Sequence, residues 1–220
     1  MATSPLPLKP IKVGSLKSRV VEALREAIFS GTLEPGATLR EAHLAASMGV
    51  SQATVREALM TLEHAGLVVR NNRETIVTRL TAKDLEERSR LRVVLEGMAG
   101  VQAAARMSEE DFAALAARLE AIHQALERDA YMDFVAADLE FHRFIWAKAG
   151  NQMLQKILEL IAVPVFAFLS IRRSRSLHNL VRTVRSHDPI LQAMRCGRED
   201  AIREAFREHI EESYRNFHTD

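Results

Sequence analysis

The tightest constraint on the fold comes from a glycine-centred segment, residues 44–59. Apolar residues repeat with the period of an α-helix on both sides of Gly49, and only glycine takes a sharp left-handed turn cheaply. Val50 is expected to fill the core at this turn, and Ser51 to cap the helix that follows. The segment therefore predicts two short helices that cross closely at the small residue Ala45.

The flanking elements extend this pattern. A helix is predicted from Ser15, with an apolar residue at every fourth position as far as Ile28, and Gly31 is placed to end it. After the two short helices, β-prone runs at 67–70 and 75–80 predict a hairpin. Helix, turn, short helix, glycine turn, helix and hairpin is the order of a winged helix-turn-helix, which binds DNA.

The rest of the chain is predicted to be helical. The β signal ends near Leu80, and long stretches rich in Ala, Leu, Glu and Arg follow. The expected class is mostly α: a winged helix-turn-helix with a small β-hairpin wing, then an all-α helical-bundle sensor domain. The expected divisions are a flexible arm at 1–14, the DNA-binding domain at 15–80 and the helical domain at 81–220.

The charge distribution and the cysteine content indicate the kind of partner and the cellular compartment of the protein. Residues 1–80 carry 10 Lys and Arg against 7 Asp and Glu, whereas residues 81–220 carry 20 against 22. A mildly basic first part fits a polyanionic partner. Cys196 is the single cysteine, the start lacks a signal-peptide pattern, and no apolar run is expected to span a bilayer. We therefore expect a cytoplasmic protein with no membrane partner.

The second of the two short helices is the predicted recognition helix. Its free N-terminal amides would point toward phosphate, Gln52 could recognise adenine, and Arg56 could recognise guanine. The predicted DNA contacts are Arg40, Ser51, Gln52, Ala53, Thr54, Arg56 and Arg73. An ordinary helical hairpin with a surface arginine is the alternative. Because one such helix contacts few bases, a homodimer on near-palindromic double-stranded DNA is expected.

Four polar residues fall on the buried stripes of predicted helices in the second part of the chain. Asp138 and His142 lie four residues apart, and His187 and His209 also lie among apolar neighbours. Such groups are costly to bury unless they are paired or bound to an ion. The set predicts a divalent metal, zinc first and nickel or manganese as alternatives; hydrogen-bonded core residues are the other explanation. Pro189 either kinks the helix near His187 or lies in the first turn of a new one.

Residues 15–80 resemble the DNA-binding domain of the GntR family of transcriptional regulators. The matching residues are Pro35-Gly36, Leu39, Leu44, Gly49-Val50-Ser51, Val55-Arg56-Glu57-Ala58-Leu59, Leu62 and Gly66-Leu67-Val68. The remaining chain resembles the helical FCD ligand-binding domain of the FadR-type branch. The resemblance implies a regulator, not an enzyme, that responds to a small organic or sugar acid. It also favours the metal hypothesis and places Arg92 near the pocket, as a grip for an effector carboxylate.

Two positions depart from the family pattern. Gln52 stands where the family usually has arginine, which implies an altered operator preference. Glu74 stands where the wing usually turns on glycine, and a carboxylate there would repel phosphate. Two other functions compete with a regulator: a metal-dependent hydrolytic enzyme fused to a DNA-binding domain, and an architectural DNA-binding dimer without an effector. The first needs a general base beside the metal, and the second leaves the buried polar residues without a role.

Overall fold

The computed structural model describes residues 16–71, 74–128, 130–173 and 185–218. Within these ranges the chain forms nine helices and two strands, which confirms the predicted mostly-α class. In chain order they are α1 Leu16–Phe29, α2 Glu41–Met48, α3 Gln52–His64, β1 Val68–Arg70, β2 Thr75–Val77, α4 Ala82–Ala104, α5 Glu109–Glu127, α6 Tyr131–Lys148, α7 Gln152–Arg173, α8 Asp188–Cys196 and α9 Glu199–His218. The predicted arm at 1–14, the cap at Ser15 and the predicted DNA contact Arg73 lie outside the described residues.

The helix-turn-helix in residues 16–80, here called the N-terminal unit, forms as its sequence predicts. Gly49 ends α2 with φ 64°, and the Ser51 hydroxyl accepts a hydrogen bond from the Thr54 amide at 3.1 Å, which caps α3. Burial of each large apolar side chain in its core contributes about 1.5–3 kcal/mol. That core includes Val20, Leu24, Ile28, Val55, Ala58, Leu59, Leu62, Leu67 and Val77.

The wing has one more paired segment than the predicted hairpin. Strands β1 and β2 pair antiparallel, with Val68 opposite Val77. The chain before α2 lies along the other edge of β2, where Thr38 forms an isolated bridge with Ile76. The amide of Leu39 donates to the carbonyl of Thr75 at 2.7 Å. This extra pairing ties the start of α2 to the wing.

The remaining described residues, 81–218, form what we call the helical unit. Helix α4 lies at its centre and packs most extensively on α9, and α5 packs on α6. Gly100 allows the close approach of α4 and α9, because a Cβ there would lie 2.3 Å from the ring of Phe206. The inner face of α4 carries Leu85, Ser89, Arg92, Glu96, Ala99 and Ala103. Two charged residues thus lie on the core face of this helix.

Helix α7 corrects one expectation. Over Gln152–Ile171 its mean hydropathy is 1.8, so by length and composition it could cross a membrane, although no run was expected to be that long. Of this window, 56% is buried within the protein, as for a core helix.

Pro164 lies inside α7 and lacks an amide hydrogen for the carbonyl of Leu160. Arg88 of α4 donates to that carbonyl at 3.1 Å.

The two units are packed directly against each other along α7. A Cβ at Gly66 would lie 2.7 Å from the carbonyl oxygen of Leu160, so only glycine allows this approach. The hydroxyl of Ser170, near the end of α7, lies 2.7 Å from the carbonyl oxygen of Phe29, the last residue of α1, and 2.7 Å from that of Ala167, so its one hydrogen is shared between the two acceptors. Helix α7 of the helical unit therefore contacts the N-terminal unit at two places.

Candidate metal centre and nucleic-acid interface

The four predicted metal ligands come together in the helical unit. Asp138 and His142 lie on α6, His209 lies on α9, and His187 immediately precedes α8. All four are at least 95% buried, and one potential ligand atom from each lies within 4.8 Å of those of the other three. The cluster is thus a buried set of one carboxylate and three imidazoles, the donors that suit a borderline divalent cation.

The distances within the cluster match the spacing of ligands around one ion. Nε2 of His187 lies 2.9 Å from Oδ1 of Asp138, and Nε2 of His142 lies 3.1 Å from Nε2 of His209. Nε2 of His142 also lies 3.6 Å from Oδ1 of Asp138. Ligands at about 2.0–2.2 Å from zinc are separated by about 3 Å when they are adjacent. The side chains present therefore fit a zinc-sized ion.

The structure resolves the two possibilities that Pro189 left open. A new helix, α8, begins at Asp188, with Pro189 in its first turn and His187 at the cap position. The carbonyl of His187 accepts from the amide of Ile190 at 3.1 Å, as at a normal helix start. The proline therefore does not move His187 away from the other three clustered residues.

Outer contacts orient two of the histidines. Nδ1 of His142 lies 2.6 Å from a carboxylate oxygen of Glu96, and Nδ1 of His209 lies 2.8 Å from the hydroxyl of Ser186. An imidazole that donates through Nδ1 keeps its Nε2 lone pair available, the usual arrangement for a metal-bound histidine. Glu96 was missed by the sequence analysis. The available signal was its position four residues after Arg92 on the buried stripe of α4.

Arg92 holds Glu96 in place as well as lining the neighbouring cavity. Its Nε donates to Glu96 at 2.6 Å, and its guanidinium lies 4.9 Å from the ring centre of Phe166. Burial alone would raise the pKa of Glu96, but the charge of Arg92 and the hydrogen bonds from His142 and Arg92 lower that pKa below its ordinary value. Glu96 is therefore a carboxylate that its neighbours keep ionised inside the core.

A small cavity adjoins the cluster. Its volume of about 10 Å³ is close to the room that one water molecule needs. A larger ligand can enter only if the surrounding side chains move. The lining residues are Arg92, Tyr131, Phe134, Val135, Asp138, Phe166, Leu169, Ser170, His209 and Ser213. Two of the four clustered residues and the predicted effector contact Arg92 thus share one cavity.

The predicted DNA contacts lie on the outer side of the N-terminal unit. Within the described residues, Thr54 is half-buried in the first turn of α3 and the others are exposed: Arg40, Ser51, Gln52, Ala53 and Arg56. Arg56 is paired with Glu41, the first residue of α2, at 2.8–3.2 Å. The hydrogen bond from Arg56 holds the pKa of Glu41 below its ordinary value, and the nearby charge of Arg70 adds to the effect. Glu41 also escaped the sequence analysis.

Comparisons with known proteins identify the family of each of the two units. Residues 16–77 match the family described as bacterial regulatory proteins, gntR family, and residues 87–212 match the FCD domain. The chain is 31% identical over 197 residues to the "Probable D-xylose utilization operon transcriptional repressor" of Paenarthrobacter nicotinovorans, covering 89% of this chain and 86% of that protein. It is 28% identical over 183 residues to the uncharacterized HTH-type transcriptional regulator YdhC of Bacillus subtilis, covering 82% and 81%. The solved structure of Escherichia coli McbR/YncC has the same fold, with a TM-score of 0.77 and 24% identity over 90% of this chain and 95% of that one.

Proposed function

The chain belongs to the GntR family of bacterial regulatory proteins and carries an FCD domain, and from this premise we propose that it is a metal-dependent sensor of a small acid that represses transcription. Its class, a transcription regulator, follows from the family. The finer function rests on one observation: Asp138, His142, His187 and His209 converge beside a cavity that Arg92 lines. We place the DNA-binding domain at 15–80 and the sensor at 81–220, in a cytoplasmic homodimer. Repression follows the description of the D-xylose operon relative.

The metal would be held by four side chains, with zinc first and nickel or manganese as alternatives. A bound divalent ion would supply a concentrated positive charge, with coordination positions left for an acid when five or six are used. The chain's own residues define the rest of the pocket. Arg92 offers a second cationic group, Tyr131, Ser170 and Ser213 offer hydroxyls, and Phe166 is among the apolar walls. This combination suits a small carboxylate that also carries hydroxyl groups.

The cavity is connected to the DNA-binding unit by a short chain of hydrogen bonds. Tyr131 lines the cavity, and its hydroxyl donates to the carbonyl of Ser170 on α7 at 2.7 Å. The hydroxyl of Ser170 in turn shares its hydrogen between the carbonyl of Phe29 at the end of α1 and that of Ala167 on α7. Because the cavity has room for only about one water molecule, an acid must displace lining side chains such as Tyr131 and Ser170 to enter. We propose that this displacement moves α7 against α1 and changes the spacing of the two recognition helices in the dimer.

Removing the Ser170 hydroxyl is expected to weaken this communication. In Ser170→Ala the acid should change DNA affinity by a factor about 2- to 10-fold smaller than in the wild type, because the variant lacks one hydrogen bond between α7 and α1. The probe is the acid that gives the largest thermal shift in a panel of organic and sugar acids. DNA titrations with and without it measure the factor. Ser89→Ala removes another buried serine hydroxyl on α4, and it should keep the full response; equal responses in both variants would contradict the connection.

The DNA-binding half of the function is tested at Arg56. Arg56→Ala is expected to weaken binding to a preferred duplex by about 1–3 kcal/mol, since the guanidinium can bond two acceptors of one guanine and alanine can bond neither. The duplex is obtained by selection from random sequences with the wild-type protein and should be near-palindromic. Gel-shift titration at fixed salt measures the affinity. An unchanged affinity would show that Arg56 does not recognise a base.

A further inference from the structure

A carboxylate lies on the surface that should meet DNA. Oε2 of Glu41 on α2 accepts from Nε of Arg56 at 3.0 Å and from Nη2 of Arg56 at 2.8 Å. Its other oxygen lies 3.4 Å from Nη2 of Arg70, in the first strand of the wing. A negative charge in this place is unfavourable near phosphates, so it calls for a compensating role. Glu41 touches each of the other two DNA-facing elements, the recognition helix and the wing.

The contact fixes which edge of Arg56 remains available. A guanidinium has five N–H donors, and Glu41 takes the side that carries Nε and one hydrogen of Nη2. The donors left are both hydrogens of Nη1 and the second hydrogen of Nη2. They lie at the outer end of the guanidinium, where one hydrogen from each Nη can bond two acceptors on one base edge. The side chain of Arg56 is 60% exposed, so without Glu41 little else would order it.

We propose that Glu41 is a positioning residue, which orders Arg56 for base recognition and lowers affinity for DNA of any sequence. The proposal rests on the proposed base contact of Arg56. An arginine already held in one geometry loses less conformational entropy when it binds a base. The same carboxylate repels every phosphate backbone equally, whatever the sequence. Glu41 thus increases the preference for the correct site while it reduces general attraction to DNA.

This division of effects separates a positioning role from a merely structural one. If Glu41 only stabilised the N-terminal unit, its removal would weaken binding to all duplexes together. A charge effect alone would strengthen binding to all duplexes together. Positioning combined with the charge effect predicts that, in a variant without the charge, the two affinities change in opposite directions. The measured quantity is therefore the ratio of affinities for the preferred duplex and for a scrambled one.

The test uses the full-length protein with two duplexes, one selected from random sequences by the wild type and one with the same bases scrambled. In Glu41→Gln the affinity for the scrambled duplex should rise severalfold, because one negative charge near phosphate is removed. The affinity for the selected duplex should fall by on the order of tenfold, within the discrimination of a bidentate base contact. Glu41→Asp keeps the charge but has a shorter reach, so its preference should fall without the gain on scrambled DNA.

Glu57→Gln provides a matched control on α3. This exposed glutamate lies next to Arg56 in the chain and has no ion pair among the described residues, so its removal should change both affinities by the same factor. An unchanged ratio in Glu41→Gln, when Arg56→Ala does reduce the preference, would overturn the positioning role alone. If Arg56→Ala also keeps the full preference, the base contact and the positioning role are both wrong.

Discussion

Replacing His142 with alanine is expected to abolish metal binding by the helical unit without preventing DNA binding. Nε2 of His142 lies 3.1 Å from His209 and 3.6 Å from Asp138, so its loss removes a donor from the middle of the cluster. Loss of a residue that hydrogen-bonds to a metal ligand typically lowers metal affinity by about 10- to 100-fold. Loss of a ligand itself should lower metal affinity by more than about 100-fold. Metal content after dialysis and a chelator competition measure the change.

The matched variant for this experiment is Asp138→Asn, which keeps the volume of the side chain and an oxygen that can accept from His187. His142→Ala also leaves Glu96 with one donor fewer, which costs about 1–3 kcal/mol of stability, so its thermal unfolding must be checked. Asp138→Asn removes the ligand charge while Glu96 keeps its donors, and it should bind metal poorly too. Wild-type metal affinity in both variants would show that the cluster is a hydrogen-bonded core.

The sequence predicts best where a residue's own neighbours in the chain determine its structure. Gly49 and Ser51 act within one turn of the chain, so the helix-turn-helix could be located in advance. The convergence of the four candidate metal ligands could also be predicted, although they are up to 71 positions apart. Each of the four, from Asp138 to His209, lies on an apolar stripe and must find a polar partner there. A shared divalent metal was the predicted solution, with a hydrogen-bonded core as the alternative.

The sequence predicts less where the partner lies on a different element and the residue type is common on surfaces. Glu41 and Arg56 are separated by 15 positions, and nothing in either local pattern requires them to meet. The bond between Ser170 and Phe29 spans 141 positions and depends on how α7 lies against α1. Glu96 is intermediate, because its spacing from Arg92 was visible but its partner His142 was not. These contacts depend on tertiary packing, which local periodicity does not encode.

The residues that escaped prediction are the ones that connect the two sites to the rest of the molecule. Glu41 joins the recognition helix to the wing, Glu96 joins the His and Asp cluster to Arg92, and Ser170 joins the cavity to α1. The predicted residues provide the binding groups themselves. A sensor that controls DNA binding needs both kinds, because a ligand shifts an equilibrium only through contacts that differ between two states. The connecting residues are therefore where regulation should be most sensitive to substitution.

The acid found in the thermal-shift panel is expected to bind metal-loaded protein about 5- to 150-fold more tightly than metal-stripped protein. That range corresponds to a coupling of about 1–3 kcal/mol between two ligands that share one pocket. Asp138, His209 and Arg92 all line the same small cavity, so a carboxylate that meets the ion there would lie close to the arginine. Because coupling is reciprocal, the acid should raise metal affinity by the same factor.

Calorimetric titration of the acid into both forms, and of zinc with and without the acid, measures the two factors independently. Equal acid affinity in the loaded and stripped forms would show that the acid does not bind through the metal, which would then have a structural role.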